Sequence, residues 1–186
     1  MRTRKLNPNR PKNRFHAGSK YIMSSEQIKE KKGEHPWGDT GQLIALAIFV
    51  TVWLADSFWL NWTTFLSETI PNVIRLTIAI PLWILSGVII NYSHFVVDAD
   101  RRPAGVVSTG AFRYVRHPVY LSSLLVYLGL VASSLSLVSL AIWLLIFLFY
   151  NRIAIYEERI LIAKYGQVYI DYQRNTGRWF PKVTEI

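Results

Sequence analysis

Cysteine is absent from the 186 residues, which excludes a disulfide scaffold, a thiolate zinc site and covalent catalysis through a thiol. Charge is scarce as well. Asp, Glu, Lys and Arg make up 18% of the chain, below the roughly 25% of soluble domains. Two stretches have no formal charge at all, 22 residues at 76–97 and 34 residues at 118–151. What is present is apolar: 51% of residues are hydrophobic and 14% aromatic, which argues against a disordered chain. The net charge of +9 suits nucleic acid in principle, but no nucleic-acid motif accompanies it.

A membrane-crossing helix needs roughly 20 apolar residues at about 1.5 Å each. Residues 76–97 fit one crossing. The 34-residue run would make a single helix of about 50 Å, too long for a bilayer core, and it breaks most naturally at Ser133, Ser134 and Ser136. Residues 41–60 are interrupted only by Asp56. The expectation is an all-α integral membrane protein with about four transmembrane helices, at 41–60, 71–92, 117–133 and 135–154, the last two forming a helical hairpin.

Basic residues test that layout independently. Ten Lys/Arg precede the first span, four lie at 101–116, and six follow Asn151. The expected outer loops contain none, and Arg75 alone falls near an outer end. Four spans put every basic segment and both termini in the cytoplasm. The chain then divides into a basic cytoplasmic tail (1–40), a transmembrane helix pair (41–92) and a region with the hairpin and a cytosolic segment (93–186). The turn formers Asn7, Pro8, Asn9 and Pro11 do not read as a cleaved signal. Lys20, Lys29, Lys31 and Lys32 belong to a solvated tail able to lie on anionic headgroups. Compact size and the basic N-terminus point to a prokaryotic cytoplasmic membrane. Nothing evident calls for an obligate protein partner.

Polar groups within spans are functional candidates by default. Asp56 pairs with Arg75 or reaches the headgroups on this reading, and Asn91, Tyr92 and His94 mark the inner end of the second helix. The richest segment, residues 110–120, runs into the third span. Pro118 suits the first turn of that helix, and the free N–H groups there favour an anionic or electron-rich ligand. Arg116 and His117 stand at the same mouth, either as a ligand site or as a positive-inside anchor. Glu157 and Glu158 follow the last span and break the basic pattern. Adjacent helical residues point about 100° apart, so only one carboxylate need face a pocket, where it can hold a ligand ammonium. The alternative is a surface pair bridging to Arg152 or Arg159.

Arg116-His117-Pro118, followed after one hairpin by Glu157-Glu158, resembles the isoprenylcysteine carboxyl methyltransferase family, whose wider relatives include phospholipid N-methyltransferases and some membrane sterol reductases. The resemblance covers about residues 90–183 and includes Tyr169-x-x-Tyr172 and Thr176-Gly177-Arg178-Trp179-Phe180-Pro181. It implies a helical membrane enzyme with a cytosolic C-terminal cofactor-binding segment. S-adenosylmethionine would come from the cytosol and a lipophilic methyl acceptor from the lipid bilayer. By position, Ala104, Gly105, Val106, Val107, Phe112 (where the family often has Tyr), His117, Pro118, Val119, Tyr120 and Glu157 would form the cofactor pocket. Arg116 and His117 would orient the acceptor or bind cofactor. The carboxyl methyltransferases carry an Arg four residues before this Glu to read the substrate carboxylate. Here that position is Ile153, with Arg152 one residue earlier as its nearest substitute. A lipid amine or a small thiol therefore stays open as acceptor, beside two rival readings: an NADPH-dependent reductase and a non-catalytic membrane adaptor.

Overall fold

A computed structural model describes residues 38–97 and 105–182, so residues 1–37 of the basic tail and Ala104 lie outside the described residues, while 38–40 already belong to the first helix. Helix α1 (Gly38–Leu54) continues into a π-helical turn (Ala55–Leu60). The turn ends at Asn61, in the left-handed region with φ 50°, whose N–H returns to the Asp56 carbonyl at 3.0 Å. A short α2 (Leu66–Thr69) leads into α3 (Asn72–Val97). A 3-10 turn (Gly110–Arg113) precedes α4 (Pro118–Ser134), α5 (Leu137–Tyr165) and α6 (Gln167–Asn175). Extended pairing among the described residues is an isolated parallel bridge between Val115 and Gly177.

Helix α1 together with its π-helical turn (Thr40–Leu60), α3 and α5 are long and apolar enough to cross a membrane, while α4 is shorter at 17 residues. Exposed aliphatic side chains such as Leu43, Ile84 and Leu145 cover their outer faces, as expected where lipid is the solvent. The core lies between α1, α4 and α5. It stacks Phe49 on Tyr127 at 4.6 Å and encloses Tyr150 completely. Helix α3 packs on α4 through a small-residue contact of the kind membrane helices favour. A Cβ on Gly129 would come within 2.3 Å of the Trp83 indole. Beside it Ser86 Oγ donates to the Ser122 carbonyl at 2.8 Å.

The serine-rich break forms the hairpin as expected. Leu135 takes the left-handed conformation (φ 55°), and the Ser136 hydroxyl caps α5 by accepting from Ser139 N at 3.1 Å. The expected Asp56–Arg75 contact gives way to contacts with this turn. The Asp56 carboxylate accepts from Thr63 N (3.1 Å), Thr63 Oγ1 (2.5 Å) and Ser136 Oγ (2.6 Å). Arg75 donates instead to the Ser133 carbonyl at 2.8 Å, which the helix end leaves free. Asp56 itself is buried, so it does not reach out to headgroups.

Helix α5 also runs past the expected end at 154. Its 29 residues span about 44 Å, longer than a bilayer core, and carry Glu157 and Glu158 beyond the apolar run. Gly166, with φ 56°, ends it and turns α6 back toward the start of α4.

Candidate active site

The site is assembled where α4 begins and α5 outruns its apolar stretch. Pro118 occupies the first helical position of α4 and is fully buried, with His117 as the preceding cap residue. The strand-like bridge Val115–Gly177 brings the C-terminal segment alongside, and Arg116 N donates to the Gly177 carbonyl at 2.9 Å. Glycine is required at 177, because a Cβ there would lie 1.8 Å from the Phe180 carbonyl oxygen. A second tie joins the Tyr172 hydroxyl to the Phe112 carbonyl at 2.6 Å.

Glu158 is the hub. Its Oε1 accepts from Arg116 Nε (2.9 Å) and Arg178 Nε (2.9 Å) and lies 3.2 Å from His117 Nε2. Its Oε2 accepts from Arg178 Nη2 (2.7 Å) and Gln173 Nε2 (3.1 Å). Arg116 also donates through Nη1 to the carbonyls of Gln173 and Thr176. Four side chains from three segments of chain therefore converge on one carboxylate.

Glu157 faces a different neighbourhood. Tyr120 donates to its Oε1 at 2.7 Å, and His117 Nδ1 lies 3.5 Å from its Oε2. The His117 ring thus stands between the two carboxylates and stacks against Tyr120, 5.7 Å between centroids. Glu157 and Glu158 are 8% and 4% exposed. Both are buried, although one would have sufficed for a pocket. The reason is that α5 is covered here on two sides, by the start of α4 and by the folded-back C-terminal segment. Bridges to Arg152 or Arg159 are replaced by Arg116 and Arg178.

The charge cluster alters its surroundings. Hydrogen bonding to Glu158 pushes the Arg178 guanidinium further up from its ordinary value. Burial, reinforced by the Glu158 charge, raises the Tyr169 phenol well above its usual range. Burial likewise raises Tyr172, though the nearby Arg116 acts in the opposite direction.

Of the expected pocket residues, His117, Pro118, Tyr120 and Glu157 come together at the α4 start. Val119 is half-buried in the first turn, where its carbonyl accepts from Ser122 and Ser123. Phe112 is half-buried and tied to Tyr172 through its backbone, and Gly105, Val106 and Val107 are half-buried in the approach to the 3-10 turn. Ala104 is outside the described residues. Arg116 is committed to Glu158. Arg152 is exposed, whereas Ile153 is buried at 3%, so neither places a guanidinium beside Glu157. Asn91, Tyr92 and His94 are exposed on α3.

Sequence reasoning did not single out Asn151, Gln173 or the partner role of Arg178. Asn151 Oδ1 accepts from Arg178 Nη1 (3.2 Å) and from Trp179 Nε1 (3.1 Å). Its spacing of seven residues from Glu158, two helical turns on one face, was the available signal.

The donor set fits S-adenosylmethionine at Glu157. A buried carboxylate beside the Tyr120 phenol is the kind of group that accepts from an ammonium or from ribose hydroxyls. The adjacent helix start adds backbone N–H groups that α4 itself leaves unpaired.

An all-helical fold with three membrane-length apolar helices, a polar cluster at one end and a family match together define an integral membrane protein of the methyltransferase class. The chain matches the family model for phospholipid methyltransferases over residues 73–168, more than half its length, and belongs to that family. This is the wider group that includes the isoprenylcysteine carboxyl methyltransferases. The matched segment contains Arg116-His117-Pro118 and Glu157-Glu158 but stops short of Arg178. Neither a curated protein nor a solved structure matches the chain.

Proposed function

We propose that the protein is an S-adenosylmethionine-dependent methyltransferase acting on a lipophilic acceptor drawn from the bilayer. The observation that carries this reading is Glu157, a buried carboxylate held by Tyr120 at the start of α4 within the family-matched segment. In this reading α4 is a fourth, short crossing, and the start of α4 and the end of α5, which bear the polar cluster, face the cytoplasm. The basic residues around that cluster support the orientation.

When bound, S-adenosylmethionine supplies an electrophilic methyl group on a sulfonium. Glu157 accepts from its ammonium or ribose hydroxyls, and Tyr120 fixes the rotamer in which it does so. Glu158 keeps Arg116, His117 and Arg178 in register and thereby closes the C-terminal segment over the site. Burial of the cluster excludes water, and positioning of the two reactants lowers the barrier by several kcal/mol. A covalent enzyme intermediate is not required.

Among acceptors, a lipid amine is favoured over a prenylated carboxylate. The position that would read a carboxylate is the buried Ile153, Arg152 is exposed, and Arg116 and Arg178 are engaged by Glu158. Incubating the purified protein with S-adenosylmethionine labelled in its methyl group, in vesicles containing phosphatidylethanolamine or a prenylcysteine analogue, tests the reading. Label is expected in the amine lipid. Label in the prenylcysteine ester alone would reverse the acceptor preference, and label in neither would count against methyl transfer to these classes.

A further inference from the structure

At the opposite end of the bundle, a cavity of about 180 Å³ opens between the π-helical turn of α1, the first turn of α3 and the α4–α5 hairpin. Trp53, Ser57, Phe58, Asn61, Arg75 and Ser133 are among its walls. It is separate from the cofactor site described above. Glu157 lies 20 positions along α5 from Leu137, about 30 Å away.

Two of its polar atoms, Ser57 Oγ and Arg75 Nε, are buried without a hydrogen-bond partner. Burial of unpaired donors is costly, and membrane proteins satisfy such groups with special care. The rest of the Arg75 guanidinium is anchored, through Nη1 to the Ser133 carbonyl (2.8 Å) and through Nη2 to Asn72. That leaves Nε for something inside the cavity. The neighbouring acid does not neutralise it, because Asp56 is turned toward Thr63 and Ser136 and does not line the space. Consecutive residues of the π turn point apart, Asp56 to the hairpin and Ser57 to the cavity. Phe58, one of the walls, is 64% exposed, and nearby in the chain Trp59 and Trp62 are 75% and 76% exposed, the aromatic girdle expected at headgroup depth.

We propose that this cavity binds a phosphate-type anion, with Arg75 Nε and Ser57 Oγ donating to its oxygens. The phosphodiester of a membrane lipid and free phosphate share that chemistry, and the exposed aromatic side chains of this segment favour the lipid. The site is independent of methyl transfer at the other end.

The test is thermal unfolding of the full chain in neutral detergent, titrated separately with short-chain phosphatidylglycerol, short-chain diacylglycerol and inorganic phosphate. Phosphatidylglycerol is expected to raise the midpoint saturably, diacylglycerol is not, and Arg75→Gln should weaken the half-saturating concentration by about tenfold. Ser57→Ala removes no bond the fold uses, so it reads the site even if Arg75→Gln does not fold; it should weaken binding by about threefold to tenfold. Saturable stabilisation by inorganic phosphate with the same variant sensitivity supports the anion site and assigns it to free phosphate. No saturable shift with either anion, or the same half-saturation in the wild type and Ser57→Ala, overturns the proposal.

Discussion

Arg178 grips Glu158 side-on, with Nε on one carboxylate oxygen at 2.9 Å and Nη2 on the other at 2.7 Å. This two-bond fork joins the C-terminal segment to the part of α5 that projects beyond its apolar run. The Glu158 side chain is 5% exposed and that of Arg178 28%, so the pair is shielded on the carboxylate side. Glu158→Gln leaves two guanidiniums facing a neutral amide, and breaking a buried pair of this kind costs about 3–5 kcal/mol. Denaturant unfolding in detergent should register that loss, with faster tryptic cleavage around Arg174 and Lys182. Unchanged stability would remove Glu158 from its central place. Arg178→Lys, which keeps the charge but loses the fork, should fall between the two.

Tyr120 donates to Glu157 through a hydrogen bond of 2.7 Å. Tyr120→Phe keeps the ring against His117 and Tyr150 and removes the hydroxyl that makes that bond. Affinity for S-adenosylmethionine should drop by about fivefold to tenfold, the equivalent of about 1 kcal/mol, with little change in unfolding midpoint. Isothermal calorimetry beside a melting curve separates the two effects.

Arg152 is exposed on α5. Arg152→Ala is expected to change stability by no more than about 0.5 kcal/mol and to leave methyl transfer within about twofold, since a surface side chain of this kind contributes little. A large loss of transfer confined to a carboxylate acceptor would restore Arg152 as the substrate-reading residue.

Gly129 lets α3 and α4 approach closely. A side chain there meets Trp83, whose indole N–H donates to the Val126 carbonyl at 3.3 Å. Gly129→Leu should destabilise the bundle by about 1–3 kcal/mol through overpacking. A combined Gly129→Ala, Trp83→Phe variant should recover part of the loss, because the smaller ring makes room. Additive losses in the double variant would show that the contact is not shared.

The hairpin was legible because 34 residues without formal charge exceed what one crossing can use, and serines marked where the chain turns. The polar cluster was legible in part: Arg116, His117 and Glu157 stand out as polar residues at the edges of apolar runs. The partners of Glu158 were not. Gln173 and Arg178 lie 15 and 20 residues further on and meet it only because Gly166 takes a positive φ of 56° and reverses the chain. Asp56 illustrates the same limit. Arg75 was the obvious opposite charge, yet hydroxyl and amide donors from Thr63 and Ser136 satisfy the carboxylate, and tertiary proximity alone decides between them. The buried status of both carboxylates likewise depends on segments packing on two sides of α5, which helical periodicity does not specify.

The most direct test of the central claim is calorimetric titration of S-adenosylmethionine into the detergent-purified wild type and Glu157→Ala, with NADPH as the control ligand and unfolding curves for both proteins. The account predicts saturable binding by the wild type, loss of that binding in a variant that remains folded, and no response to NADPH. Equal binding by both proteins would contradict the assignment of Glu157, and binding of NADPH in place of S-adenosylmethionine would contradict the methyltransferase reading itself.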